Sequence, residues 1–128
     1  MHKSRLGCLI IDCQTDDLDR EADFWRRALG GEIQRRYEPD DEDYRGLTTD
    51  ESQPRILLQK VSHESRVHLD IETDDVDLEV ERLKKLGARE IDRVRRWCVM
   101  EAPSGHRFCV VPHQDRGFDE NANAWGDE

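Results

Sequence analysis

The chain has 128 residues, a formal net charge of −10, and 39% charged against 35% apolar residues, so it has room for one domain, or for two small modules sharing a core. The acidic balance excludes a surface built for nucleic acid or anionic membrane, both of which call for basic patches. No stretch approaches the roughly 20 apolar residues of a membrane span, and Leu6 to Ile11 lacks the length and cleavage signature of a secretory leader, so the cytoplasm is the expected compartment.

In chain order, Leu6 to Gln14 reads as a strand with Leu9, Ile11 and Cys13 on one face and Cys8, Ile10, Asp12 and Gln14 on the other. Thr15-Asp16-Asp17 opens a helix predicted over 16–29, with Leu18, Ala22, Trp25 and Leu29 as its apolar stripe. Gly30-Gly31 ends it. Strands follow at Glu32 to Tyr37, Tyr44 to Thr49 and Arg55 to Val61, with an acidic turn at 38–43.

The second half opens on Arg66 to Ala88. Val67, Leu69 and Ile71 alternate with His68, Asp70 and Glu72 as in a half-buried strand. The period then changes: Val76, Val80, Leu83 and Leu86 recur at helical spacing behind a capping Asp74 or Asp75, and Gly87 stops the helix, predicted over 75–86. Strands are expected at Arg89 to Arg96, Trp97 to Glu101 and Arg107 to Val111, with a tight turn at Pro103-Ser104-Gly105. The tail beyond Pro112 is expected to be partly ordered, with Trp125 docked.

The halves repeat each other. Ile11-Asp12 matches Leu69-Asp70, Thr15-Asp16-Asp17 matches Thr73-Asp74-Asp75, and Leu29-Gly30-Gly31 matches Leu86-Gly87-Ala88. Each copy reads β-α-β-β-β, an α+β fold with eight strands. Cys8, Cys13, Cys98 and Cys109 form no CxxC pair, so neither a disulfide framework nor a structural zinc site is expected.

Three stretches carry a family resemblance: DLDREADFWRRALGGE, VHLDIETDDVDLEVERLKKLGA and APSGHRFCVVP. Together they resemble the vicinal oxygen chelate superfamily (glyoxalases, bleomycin-resistance proteins and extradiol dioxygenases), and most closely its glyoxalase-like domain branch. The resemblance implies two βαβββ modules whose curled mixed sheets surround a cup, with helices on the convex side. It implies a glyoxalase-like domain over 1–112, with module one at about 5–62 and module two at about 65–112, followed by an acidic tail at 113–128. It also implies a homodimer, as members this small are commonly dimeric.

Alternation sorts the site residues. Val67, Leu69 and Ile71 are expected under helices, while His68, Asp70 and Glu72, with Ile10, Asp12 and Gln14 of the first copy, face the cup. Buried carboxylates are costly unless paired, so Asp12 and Asp70 either meet a ligand or pair with cup arginines such as Arg55 or Arg107. The resemblance places the four ligand positions of metal-dependent members at Ile10, Leu57, His68 and Cys109. Ile10 and Leu57 have no donor atom, so no metal or other cofactor is expected, with a divalent ion as the disfavoured alternative. His68 reads either as a general base or as a histidine bonded to a neighbour, and Cys109 as a small buried residue or a thiolate. Asp12, Gln14, His68, Asp70, Trp97 and Cys109 form the candidate ligand set, with His68 and Asp70 as candidate acid-base groups. The functional expectation is a protein that binds a small molecule without a catalytic metal. The alternative is a glyoxalase-type lyase or isomerase, or a dioxygenase relative, with a rearranged divalent-metal or acid-base site. Whether it is an enzyme is left open, and neither nucleic acid nor membrane is an expected partner.

Overall fold

A computed structural model describes residues 1–34, 42–114 and 117–126. In chain order the elements are β1 (His2–Gln14), α1 (Leu18–Leu29), β2 (Ile33–Gln34), β3 (Tyr44–Leu47), β4 (Arg55–Val61), β5 (Arg66–Thr73), α2 (Val76–Lys85), β6 (Arg89–Val94), β7 (Trp97–Glu101), β8 (Arg107–Pro112), α3 (Phe118–Asn121) and β9 (Asn123–Trp125). The fold is mixed α+β, and each copy of the repeat has the β-α-β-β-β order that its sequence predicts. The chain divides into two compact units, Cys8–His68 and Met1–Gly7 with Leu69–Glu128.

In the unit Cys8–His68, β1 pairs with β4 in parallel, and β4–β3 and β3–β2 are antiparallel. The other unit repeats this: β5 pairs with β8 in parallel, and β8–β7 and β7–β6 are antiparallel. A parallel pair needs a long crossover, and the helix with the strands after it supplies one in each copy.

The repeated Thr-Asp-Asp sets both helix starts. Asp17 caps α1 by accepting from the Arg20 N–H at 3.1 Å, and Asp75 caps α2 by accepting from Leu78 N–H at 3.0 Å. Two residues upstream, Thr15 Oγ1 accepts from Asp17 N–H and Thr73 Oγ1 from Asp75 N–H, both at 3.1 Å. Past α2, Gly87 takes φ 108°, a left-handed conformation that glycine adopts without strain.

Each helix packs on one side of its own strands. Leu18 and Ala22 of α1 meet Cys13, Leu47 and Leu58, with Ile11 and Trp25 beside them. Val80 and Leu83 of α2 meet Cys98, Met100 and Val110, with Ile71 and Phe108 alongside. Trp25 therefore joins the core as its spacing predicts, while Phe24 is exposed and meets the Trp25 ring edge-on.

Several expectations need correction. β1 begins at His2 rather than Leu6, because its first residues pair with β9, a ninth strand that lies in the tail. Val67 and Leu69 are 59% and 43% exposed, and of the three apolar residues on β5 only Ile71 packs against the α2 core. The ten-residue α2 is about 15 Å long, so it covers only a limited stretch of strand. β6 stops at Val94, where Arg95 turns into positive φ (53°). The remainder of the strand expected at Glu32 to Tyr37, and most of the acidic turn after it, lie outside the described residues. Among the described residues, no helix is long and apolar enough to cross a membrane.

Candidate functional site

In the unit Cys8–His68, Ile11 and Cys13 point toward α1, so Ile10 and Asp12 project from the opposite, helix-free side of the sheet. Register builds this face. Ile10 lies beside Leu57, and Asp12 beside Gln59, which is itself beside Tyr44 on the next strand. Gln59 Nε2 donates to the Tyr44 hydroxyl at 2.9 Å. Neither Gln59 nor Tyr44 was singled out from sequence. Gln59 could have been, as it alternates with Leu57, whereas Tyr44 needs the β3–β4 register.

Asp12 is 2% exposed. Its Oδ2 lies 2.7 Å from His68 Nδ1 and 3.6 Å from Arg66 Nε. A carboxylate oxygen can only accept, so His68 carries its proton on Nδ1 and donates it, and in the neutral ring Nε2 is the basic nitrogen. Pairing with arginines such as Arg55 or Arg107 was one of two alternatives for the inner acids. Asp12 meets an arginine, Arg66, together with His68, and Arg107 pairs with Glu101 at 3.4 Å. The other oxygen of Asp12, Oδ1, is buried with no partner among the described residues, a state that costs about 1–3 kcal/mol when nothing donates to it.

Gln14 is exposed, and its side-chain amide donates to the Ser62 carbonyl at 2.9 Å while its backbone N–H donates to Ser65 Oγ at 2.9 Å. Its amide N–H thus ties down the loop before β5. Where β1 passes into α1, a cavity of about 380 Å³ is lined by Asp12, Gln14, Arg20, Glu21, Trp25 and Ser65, among others. This is within the size range of small-molecule sites.

In the other unit, Ile71 packs toward α2, so Asp70 and Glu72 project from the helix-free side. Asp70 is the register partner of Cys109, which is in turn the partner of Val99. Trp97 opens β7 opposite Val94 and is half-buried, as is Cys109. Burial pushes Cys13 up to about 11, with Glu21 and Asp12 adding to the effect, and burial also raises Cys98, with Glu90 beside it. Both therefore stay protonated thiols near neutral pH.

As to metals, Ile10 and Leu57 are direct register partners without donor atoms. The four-position set implied by the family resemblance therefore does not fit this chain. Within the other unit Asp70 faces Cys109 in register, two donor types where a held divalent ion wants three or more.

The family described as "Glyoxalase-like domain" matches residues 8–111. No curated protein matches the chain. Among solved structures, methylmalonyl-CoA epimerase from Mycobacterium tuberculosis is similar at 19% identity, over 87% of this chain and 89% of that one, with a TM-score of 0.62. A methylmalonyl-CoA epimerase in complex with methylmalonyl-CoA and NH4+ is 20% identical over 88% and 96%, with a TM-score of 0.61. An NAD-dependent benzaldehyde dehydrogenase from Legionella pneumophila is 11% identical over 84% and 98%, with a TM-score of 0.63. Likeness at these identities shows a shared fold.

Proposed function

This chain belongs to the glyoxalase-like domain family, and on that premise we propose that it binds a small molecule on its helix-free sheet faces without a catalytic metal. The observation that carries this reading is the Ile10–Leu57 pair, two donorless side chains in register where the resemblance puts metal ligands. One of the similar epimerase structures is a complex with methylmalonyl-CoA, so an organic ligand is in keeping with the fold. In the unit Cys8–His68 the proposed wall residues are Asp12, Gln14 and His68, joined by Gln59 and Tyr44; in the other unit they are Asp70, Trp97 and Cys109. The reading includes a twofold homodimer in the cytoplasm, with neither nucleic acid nor membrane as partner.

A second reading has its own support. The His68–Asp12 hydrogen bond is the arrangement that makes an imidazole a positioned base, a rearranged acid-base site within the unit Cys8–His68. Under this reading the protein is a lyase or isomerase of the glyoxalase type. One experiment separates the two. Protein purified without chelator is assayed for divalent metal, then its Tm is read against a metabolite library with and without EDTA. Metal-free binding gives substoichiometric metal and a ligand-induced Tm rise that EDTA leaves unchanged. A stoichiometric divalent ion whose removal abolishes the Tm rise overturns it in favour of the second reading.

A further inference from the structure

We propose that the two ends of the chain close on each other as a clasp over one end of the helix-free face of the unit Met1–Gly7 with Leu69–Glu128, and that Phe118 is the stop that limits what this face admits. The proposal rests on the reading that this face carries ligand. Both ends lie outside the family match, which runs from residue 8 to 111. They pair with each other directly, His2 with Trp125, Lys3 with Ala124 and Ser4 with Asn123.

The clasp is locked on one side of β1 by a buried carboxylate. Glu79 of α2 is 0% exposed. It accepts from Ser4 Oγ at 2.8 Å, from the Arg82 guanidinium at 2.8 and 2.9 Å, and lies 2.7 Å from His2 Nε2. The Trp125 indole N–H donates to Ser4 Oγ at 2.8 Å, and the Arg82 guanidinium carbon lies 3.9 Å from the centroid of the Trp125 ring. Three elements, β1, α2 and β9, thus meet around one carboxylate, with β9 joined through Ser4 and Arg82, and a buried charge satisfied by several donors leaves little freedom to shift.

Arg5 carries the clasp to the other side. It donates from Nε to Glu72 Oε2 at 2.5 Å and from Nη1 to the Gly117 carbonyl at 3.3 Å. Its guanidinium carbon lies 5.5 Å from the centroid of the Phe118 ring, which stacks on His113 at 4.4 Å. The Gln114 N–H donates to Glu72 Oε1 at 3.2 Å. Gly7 makes room for this: a Cβ there would lie 3.0 Å from Glu72 Cγ. Phe118 and Glu72 are each 1% exposed. Glu72 shares its side of β5 with Asp70, two residues back, which is about 7 Å along a strand. The clasp therefore ends one side-chain step from the Asp70–Cys109 pair.

Cys109 serves as the reporter, and the test needs neither ligand nor metal, so a failed ligand screen and a failed clasp are told apart. The full-length protein is treated with iodoacetamide, a small reagent, or fluorescein maleimide, a bulky one, and labelling at each cysteine is followed by peptide mass mapping. Phe118→Ala is expected to speed bulky labelling of Cys109 roughly tenfold or more, with a much smaller change for iodoacetamide. Trp125→Ala, which loosens β9 and leaves Phe118 in place, is expected to act in the same direction. Cys98, 0% exposed beneath α2, reports on the integrity of the fold and stays unlabelled. An unchanged rate of bulky labelling at Cys109 in both variants overturns the proposal. So does labelling of Cys98 in step with Cys109, which would make the clasp a general support of the fold.

Discussion

At the residue scale, three neighbours on β5 test the sorting of faces. His68→Ala and Asp70→Asn are expected to weaken ligand binding by about 1–3 kcal/mol each if they bond a buried ligand group. Asp70→Asn is expected to cost little stability, whereas His68→Ala also costs about 1–3 kcal/mol of stability, because it removes the donor to the buried Asp12 carboxylate. Leu69, 43% exposed, is not the core residue its alternation suggests. Leu69→Ala is therefore expected to cost less than about 1 kcal/mol, whereas Met100→Ala, at a fully buried position, is expected to cost about 2–5 kcal/mol. Urea unfolding of the four variants separates these classes. An equal loss for Leu69→Ala and Met100→Ala would show that the helix-covered face has been misread.

At the element scale, the helix starts and Glu79 each give a handle on stability. Removing the Asp75 cap by Asp75→Ala is expected to cost about 1 kcal/mol, seen as a Tm drop of a few degrees that Asp75→Asn largely avoids. Glu79 gives a pH signature. Burial pulls its pKa up, but hydrogen bonds from Arg82, His2 and Ser4 outweigh burial and hold it below the usual 4.5. A depressed carboxyl contributes stability in full above its unfolded value and loses it as the pH falls through the folded one. The wild type is therefore expected to keep this contribution at neutral pH and lose it on acidification below about 4.5, while Glu79→Gln shows a flatter stability profile over that range. Parallel profiles for the two proteins would contradict this account.

At the scale of the whole molecule, light scattering at micromolar concentration is expected to give twice the 15.0 kDa of one chain. A mass equal to a single chain would remove the homodimer from the proposal. The acidic surface makes salt a useful second variable. If the association joins like-charged copies, raising ionic strength strengthens it by screening their repulsion.

What the sequence determined by itself is what short-range chemistry dictates. Thr15-Asp16-Asp17 and Thr73-Asp74-Asp75 can each start a helix with no help from elsewhere in the chain, and period-2 and period-3.6 patterns sort neighbours onto faces. From these the repeat, the βαβββ order and the helix-free placement of Asp12 and Asp70 were all legible, whereas Cys109 came in through the family resemblance. Only tertiary structure decided the partners. Asp12 meets His68 across 56 positions in sequence, and Glu79 meets His2 across 77. Such pairings follow from strand register and chain closure, for which the local pattern carries no signal. The same holds for the tail. Phe118 and Trp125 are the large apolar residues of an acidic stretch, and Trp125 was expected to dock, but where the two pack depends on an N-terminal strand more than a hundred residues away. Even parity is not uniform along β1. His2 and Ser4, both even-numbered, reach the α2 carboxylate, whereas odd-numbered Ile11 and Cys13 pack against α1. Alternation sorts residues only within a regular stretch of strand, and which side of each stretch a helix covers is decided by long-range packing.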